Sequence, residues 1–224
     1  MNAIDTDDTG GVRISIEGEE LVLLPQRVAW WPYRDMVLAA DVHVGKEATF
    51  RRHGVPLPEG GLHERLERLT DCVDTLEAET LVILGDFIHA PVGLTRSVID
   101  TVTTWSNRLS ARIVVVEGNH DRQLRGFPGA WDIELKRDRV IGGPFSLQHD
   151  PSVAADEYVL AGHLHPTIDL RQGGDRLRLP CFRFDSDVGV LPAFTPFSNG
   201  IRQRPGNDRR LYAITEHEVL SLHV

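Results

Sequence analysis

The sequence predicts an α/β fold in which two packed sheets share one core, with helices outside. Three observations predict it. Apolar runs alternate with amphipathic stripes between residues 37 and 116. Short β-like runs succeed one another after residue 139. Short motifs of Asp, His and Asn each stand directly after an apolar run. The order strand, helix, strand, helix, strand implies parallel pairing with right-handed crossovers. A parallel half and a β-rich half around one core give layered sheets.

Each element has its own warrant. Val12 to Leu24 reads as a hairpin or pair of edge strands. Val37 to Ala40 is a short apolar run ending at Asp41, hence a buried strand. Leu62, Leu66, Leu69, Val73 and Leu76 recur at spacings of three and four, one stripe of a helix. Leu81 to Leu84 is the next strand, and Val98, Val102, Trp105 and Leu109 mark a second helix. Ile113 to Val116 closes the parallel series. Later come Val140-Ile141, Phe145 to Leu147, Tyr158 to Ala161, Leu177 to Phe184, Val188 to Phe194 and Leu211 to Ile214. Gly and Pro separate several of these runs, as between strands. Trp30 and Trp31 are expected to pack on the sheet.

Composition narrows the function. The 224 residues fit a single domain spanning 1–224. Met1 to Gly11 is acidic and polar, unlike a signal peptide. No apolar run nears the roughly 20 residues needed to cross a bilayer, so no membrane partner is expected. Cys72 and Cys181 lack metal or redox spacing and read as free thiols of a cytoplasmic protein. A net charge of −9 makes the chain a poor general binder of nucleic acid. Contact with DNA would need local basic clusters, such as Lys46, Arg51 and Arg52 or the run from Arg202 to Arg210. The exposed edge at the amino terminus permits a homodimer as well as a monomer.

The motifs carry the chemistry. They are Asp41-Val42-His43, Gly85-Asp86, Gly118-Asn119-His120-Asp121, His149 and Gly162-His163-Leu164-His165. Residues two apart on a strand project to the same side, so Asp41 with His43, and His163 with His165, can each face one direction. Asp86 has two carboxylate oxygens and is the expected bridge between two cations, with Gly85 allowing a tight turn before it. Asn119 offers a neutral oxygen where another carboxylate would overcharge the site. Imidazole, carboxylate and amide donors suit Mn²⁺, Fe²⁺ or Zn²⁺ better than Ca²⁺, and the lack of a thiolate argues against a structural zinc. Two ions about 3.5–4 Å apart in such a site point to hydrolysis of a phosphate ester. Singly, each motif is common turn chemistry; their order, each at a strand end, carries the reading. His120, left over from the ligand set, can protonate the departing oxygen, with Asp121 holding its ring.

At these residues the chain resembles the calcineurin-like metallophosphoesterases, over roughly residues 36 to 166. The resemblance implies a four-layer αββα sandwich of two mixed sheets flanked by helices. It assigns Asp41, His43, Asp86 and His165 to a first metal and Asp86, Asn119, His149 and His163 to a second. It makes His120 the catalytic histidine, with Asp121 beside it. Trp30-Trp31-Pro32, Asp41-Val42-His43-Val44-Gly45-Lys46, Phe50-Arg51-Arg52, Gly54-Val55-Pro56 and His163-Leu164-His165-Pro166 further resemble the ligase-associated DNA damage response endonuclease group. That likeness implies a Mn²⁺-dependent phosphodiesterase or nuclease acting on DNA, associated with DNA-repair proteins. His89 departs from relatives such as the protein phosphatases, which carry Asp there, and is expected to contact substrate.

Lys46, Arg51 and Arg52 are expected either to meet phosphates flanking the scissile bond or to form a solvated helix face. Phe50 can stack on a base, but core packing is the expectation. His53, His63, His217 and His223 read as surface or structural. Phe197 and Asn199 are candidates for the mouth of the site. Alternative functions are hydrolysis of a small nucleotide-type phosphodiester, a phosphatase, and a non-catalytic scaffold of the same fold.

Overall fold

Seven strands form the first sheet, in chain order. The computed structural model describes residues 9–58, 60–153, 155–172, 175–196 and 198–222. In it β1 (Val12–Ile16), β2 (Glu19–Leu23), β3 (Ala29–Trp31), β4 (Met36–Ala39), β5 (Thr80–Leu84), β6 (Arg112–Val116) and β7 (Glu134–Lys136) lie side by side. β1 to β4 pair antiparallel, and β4 to β7 pair parallel. The change follows from the connections. α1 (Lys46–Arg52) and α2 (Gly61–Thr75) carry the chain from β4 to β5, and α3 (Arg96–Arg108) from β5 to β6. A crossover of that length returns the strand in its original direction.

The second sheet draws on β8 (Val140–Gly142), β9 (Phe145–Leu147), β10 (Tyr158–Ala161), β11 (Thr167–Gln172), β12 (Asp175–Phe184), β13 (Val188–Val190), β14 (Arg210–Ile214) and β15 (Val219–Leu222). Its order is β15-β14-β12-β13-β10-β9-β8, with β11 paired to β12 off that path. β10 runs parallel to β9 and β13, and the other pairs are antiparallel, so this sheet too is mixed.

The pleat divides the core. Val37 and Ala39 of β4 face the helices, where they meet Leu66, Leu69 and Val73 of α2 and Val102 and Trp105 of α3. Leu38 of the same strand faces the second sheet, with Trp31, Phe145, Phe182 and Phe184. Because β4, β5 and β6 are covered on both faces, they read as continuous apolar runs rather than alternating ones. Trp31 packs edge-on to Phe145 with ring centroids 4.7 Å apart, and its indole N–H donates to Glu19 Oε2 at 2.8 Å. Complete burial of each such ring stabilises the sandwich by about 1.5–3 kcal/mol.

Two mixed sheets are therefore present as expected, and their helices are few. Among the described residues every α-helix lies on the first sheet. On the outer face of the second, Cys181, Leu211 and Ala213 are covered by Ile168, Leu170 and Leu179 of the β11–β12 hairpin, where the family resemblance implied a helical layer. Cys72 and Cys181 are free and buried, and burial pushes each thiol up to about 12. No helix among the described residues is long and apolar enough to cross a membrane.

One expected strand is shorter. The Val188 to Phe194 run leaves the second sheet after Val190. Phe194 and Thr195 then donate their backbone N–H groups to the carbonyls of Ala40 and Asp41, at 2.8 and 3.4 Å. The segment thus crosses between the sheets directly beside the first motif. In the arginine run near the carboxyl end, Arg202 meets Asp169 at 2.7 Å and Arg209 meets Asp185 at 2.8 Å.

Candidate metal centre

The motifs all lie beyond the carboxyl ends of β4, β5, β6, β9 and β10, at one end of the sandwich. The loop after β4 is zipped to the loop after β5. Asp41 N–H donates to Gly85 O at 3.1 Å and His43 N–H to Asp86 O at 3.0 Å. Val42 and Val44 sink into the helix-side core. Asp41 and His43 meet His165, as members of a group whose donor atoms lie within 4.8 Å of one another.

The expected reason for that convergence needs correcting. β4 ends at Ala39 and β10 at Ala161, so neither Asp-x-His nor His-x-His lies in a strand. Asp41, His43, Asp86, His163 and His165 instead have left-handed backbones, with φ of 55°, 53°, 49°, 70° and 45°. Such a conformation costs a non-glycine residue about 1–2 kcal/mol and concentrates at functional sites. Turn after turn, it aims the side chains that a pleat would have aimed. It also separates the two histidines of Gly162-His163-Leu164-His165. His165 joins Asp41 and His43, while His163 joins Asp86 and His149.

The second group shows best what this end of the sandwich could hold. His149 Nδ1–H donates to the Leu84 carbonyl at 3.0 Å, which leaves Nε2 with a lone pair. Around that atom stand Asn119 Oδ1 at 2.9 Å, His163 Nδ1 at 3.0 Å and Asp86 Oδ1 at 3.5 Å. Oxygens of Asn119 and Asp86 can only accept, so three of the four atoms present electron pairs to one another, and His163 Nδ1 does the same in its Nε2–H tautomer. A cation reconciles them. Two imidazole nitrogens on one ion stand about 3.0–3.4 Å apart, given metal–nitrogen bonds of about 2.1 Å.

The first group has the same character. His43 Nε2 lies 3.4 Å from His165 Nε2, and His165 Nε2 lies 3.2 Å from Asp41 Oδ1. Asp41 Oδ1 is buried and accepts no hydrogen bond among the described residues. Burial pushes His43 down to about 2, helped by the charge of Lys46, so its ring is neutral and keeps its lone pair. Burial likewise raises the Asp86 carboxyl, against the pull of His149. A buried carboxylate pair without cations is a poor arrangement by itself, and divalent ions would correct it. The residues present fit two such ions.

The matches with known proteins agree with this geometry. The family of calcineurin-like phosphoesterases matches residues 36–187. The chain belongs to that family. It is thus a metal-dependent phosphoesterase, a hydrolase of the type its motifs imply. Among solved structures, it is similar to a nuclease of Pseudomonas putida called MPE, with 36% identity over 95% of this chain and all of the other and a TM-score of 0.82. A protein of unknown function from Aquifex aeolicus shares 18% identity over 62% of this chain and 81% of its own, with a TM-score of 0.39. Vps29 from Entamoeba histolytica, as a double mutant, shares 15% over 84% and 97%, with a TM-score of 0.37. No curated protein matches.

His120 and Asp121 are placed differently from expectation. The carboxylate of Asp121 does not hold the His120 ring. Its oxygens accept backbone N–H groups of Ile88 at 2.8 Å, Gly118 at 3.0 Å and Phe87 at 3.2 Å. The residue therefore pins the loop after β6 to the loop after β5. Sequence adjacency pointed to the wrong partner because the chain turns into a 3₁₀ segment at Asp121 and buries that side chain. The His120 ring is oriented instead by the His89 carbonyl, which receives its Nδ1–H. No residue type marks such a carbonyl in a sequence.

Of the expected substrate contacts, Lys46 and His89 reach the centre. Lys46 sits in the first turn of α1, close enough to His43 and His89 for its charge to depress both. His89 joins His43 and His120 in a third close group. Arg51 is turned away: its guanidinium donates to the carbonyls of Leu57 and Pro58 at 3.3 and 3.2 Å, bracing the loop after α1. Arg52 is exposed, as are His53, His63 and His217. Asn199 is exposed and precedes Gly200, which lies against the His165 carbonyl. Phe197 and His223 lie outside the described residues.

The glycines of two motifs have a steric reason. A Cβ on Gly118 would stand 2.2 Å from Asp86 Oδ1, and one on Gly85 would stand 2.2 Å from His149 Nδ1. Gly118→Ala is expected to displace Asp86, cut divalent-metal affinity at least tenfold and lower activity in proportion. Titration calorimetry with Mn²⁺ checks this. Unchanged affinity would mean that the loop yields without moving the carboxylate.

Proposed function

We propose that the chain hydrolyses phosphodiester bonds using two divalent ions, with DNA as its substrate. The convergence of lone-pair donors around His149 Nε2, beside the parallel group at Asp41, carries this reading. Asp41, His43, Asp86 and His165 would hold one ion, and Asp86, Asn119, His149 and His163 the other. Their donor set suits Mn²⁺, Fe²⁺ or Zn²⁺, and the likeness to the ligase-associated endonucleases favours Mn²⁺. When bound, such ions acidify a water toward neutrality and neutralise phosphate oxygens.

The remaining chemistry belongs to side chains. His120 is the general acid. Its Nδ1–H is fixed on the His89 carbonyl, so the proton it gives to the departing oxygen comes from Nε2. Asp86 Oδ2 lies 3.9 Å from that nitrogen. Lys46 and His89 stand where a non-bridging oxygen or a flanking phosphate would lie. Asp121 acts through the loops it joins and not on the substrate.

The nuclease relative, 36% identical across nearly the whole chain, supports a nucleic-acid substrate. The sequence likeness to the ligase-associated endonucleases extends the proposal to DNA repair in the cytoplasm, alongside repair proteins. The net charge of −9 favours a second reading, a small nucleotide-type diester. Cleavage of single- and double-stranded DNA by the purified protein with Mn²⁺, with and without chelator, separates them. Chelator-sensitive scission supports the nuclease. A protein that opens a small diester and leaves both DNAs intact overturns it.

A further inference from the structure

Phe50 is the aromatic side chain that the metal centre leaves unexplained. Core packing was its expected role, yet it is 38% exposed. Its ring lies nearly parallel to that of His89, with centroids 6.1 Å apart and planes at 12°. His89 in turn stacks on His120, at 5.2 Å and 19°. Three rings thus form a ladder that starts at the general acid and ends in solvent. The outer rung is firmly held. Glu47 of α1 is gripped by Arg65 of α2 through a buried two-pronged pair, one contact being 2.9 Å. Lys46, one turn before Phe50, presents its charge on the same side of the helix.

We propose that Phe50 is a platform for a nucleobase, that of the nucleotide leaving from the His120 side of the scissile phosphate. The inference rests on the phosphodiesterase reading above and deepens it. A base has two flat faces and extends a parallel ladder, whereas a sugar or a simple alkyl ester cannot. The ladder starts at His120, where the leaving group must be if His120 protonates it, so a base at its outer end and the departing oxygen fall on one side. Lys46 then meets the phosphate attached to that base. Recognition of this kind needs no hydrogen bond to base edges and tolerates any base.

The test uses a dinucleoside monophosphate and two analogues, each lacking one base, with Mn²⁺ and the full chain. For the wild type, loss of the leaving-side base raises KM about tenfold, and loss of the other base has a smaller effect. Phe50→Leu raises KM about tenfold on the intact compound and no longer distinguishes it from the leaving-side analogue, so the two losses are not additive. Phe50→Trp restores the distinction. If Phe50→Leu still responds to base removal as the wild type does, the platform is elsewhere. If it lowers kcat equally on every compound, Phe50 merely props His89 and the proposal fails. A wild type inactive on all three compounds overturns this proposal, and one inactive on DNA as well overturns the phosphodiesterase reading with it.

Discussion

Asp86→Ala is expected to abolish hydrolysis and to leave the protein unable to retain either ion. Asp86 is the proposed bridge, and it stands in the second donor group with His149 and His163. One oxygen accepts His120 N–H at 2.9 Å and lies 3.5 Å from His149 Nε2, and the other lies 3.9 Å from His120 Nε2. Its loss should exceed the roughly 10- to 100-fold fall in metal affinity that follows loss of a mere supporting partner. Elemental analysis after desalting gives the readout, with circular dichroism to verify folding. The metal-free variant should melt no lower than the metal-free wild type, because Asp86 is a buried carboxylate facing the charge of Asp41. Retention of two ions would refute the bridge.

The second large effect belongs to His120. His120→Ala should lower kcat on a dinucleotide by about 10²- to 10⁴-fold, the usual contribution of a positioned general acid. Metal content should stay intact. An aryl ester, whose departing oxygen needs no proton, should lose much less. Steady-state kinetics on the two substrates measure the contrast. Equal losses on both, or collapse of metal occupancy, would make His120 a ligand or a scaffold residue.

The sequence showed the fold well where burial is two-sided and poorly where it is not. β4, β5, β6 and β10 are unbroken apolar runs, and their strands appear within a residue of expectation. β3, β7, β11 and β15 went unread. β7 has three residues, none fully buried. β11 holds Ile168 and Leu170 between polar neighbours and covers the second sheet from outside, where selection for an apolar run is weak. In the site, donor types and spacing were legible because few purposes besides metal binding gather Asp, His and Asn at strand ends. Backbone handedness was not: nothing in Asp41-Val42-His43 announces two left-handed residues. Nor was the partner of Asp121, which is chosen by burial rather than by proximity along the chain. Phe50 misled because an aromatic ring in a short helix looks the same whether it faces the core or solvent.

Asp41, His43, Asp86 and Asn119 hang from the first sheet, and His149, His163 and His165 from the second. Each proposed ion would therefore be a rivet through both layers. The sheets could not peel apart at this end without emptying the centre, and the centre could not fill before the sheets had met. Occupancy and the lifetime of the folded chain become one quantity. The supply of divalent metal would then govern how long a molecule survives as well as how fast it turns over.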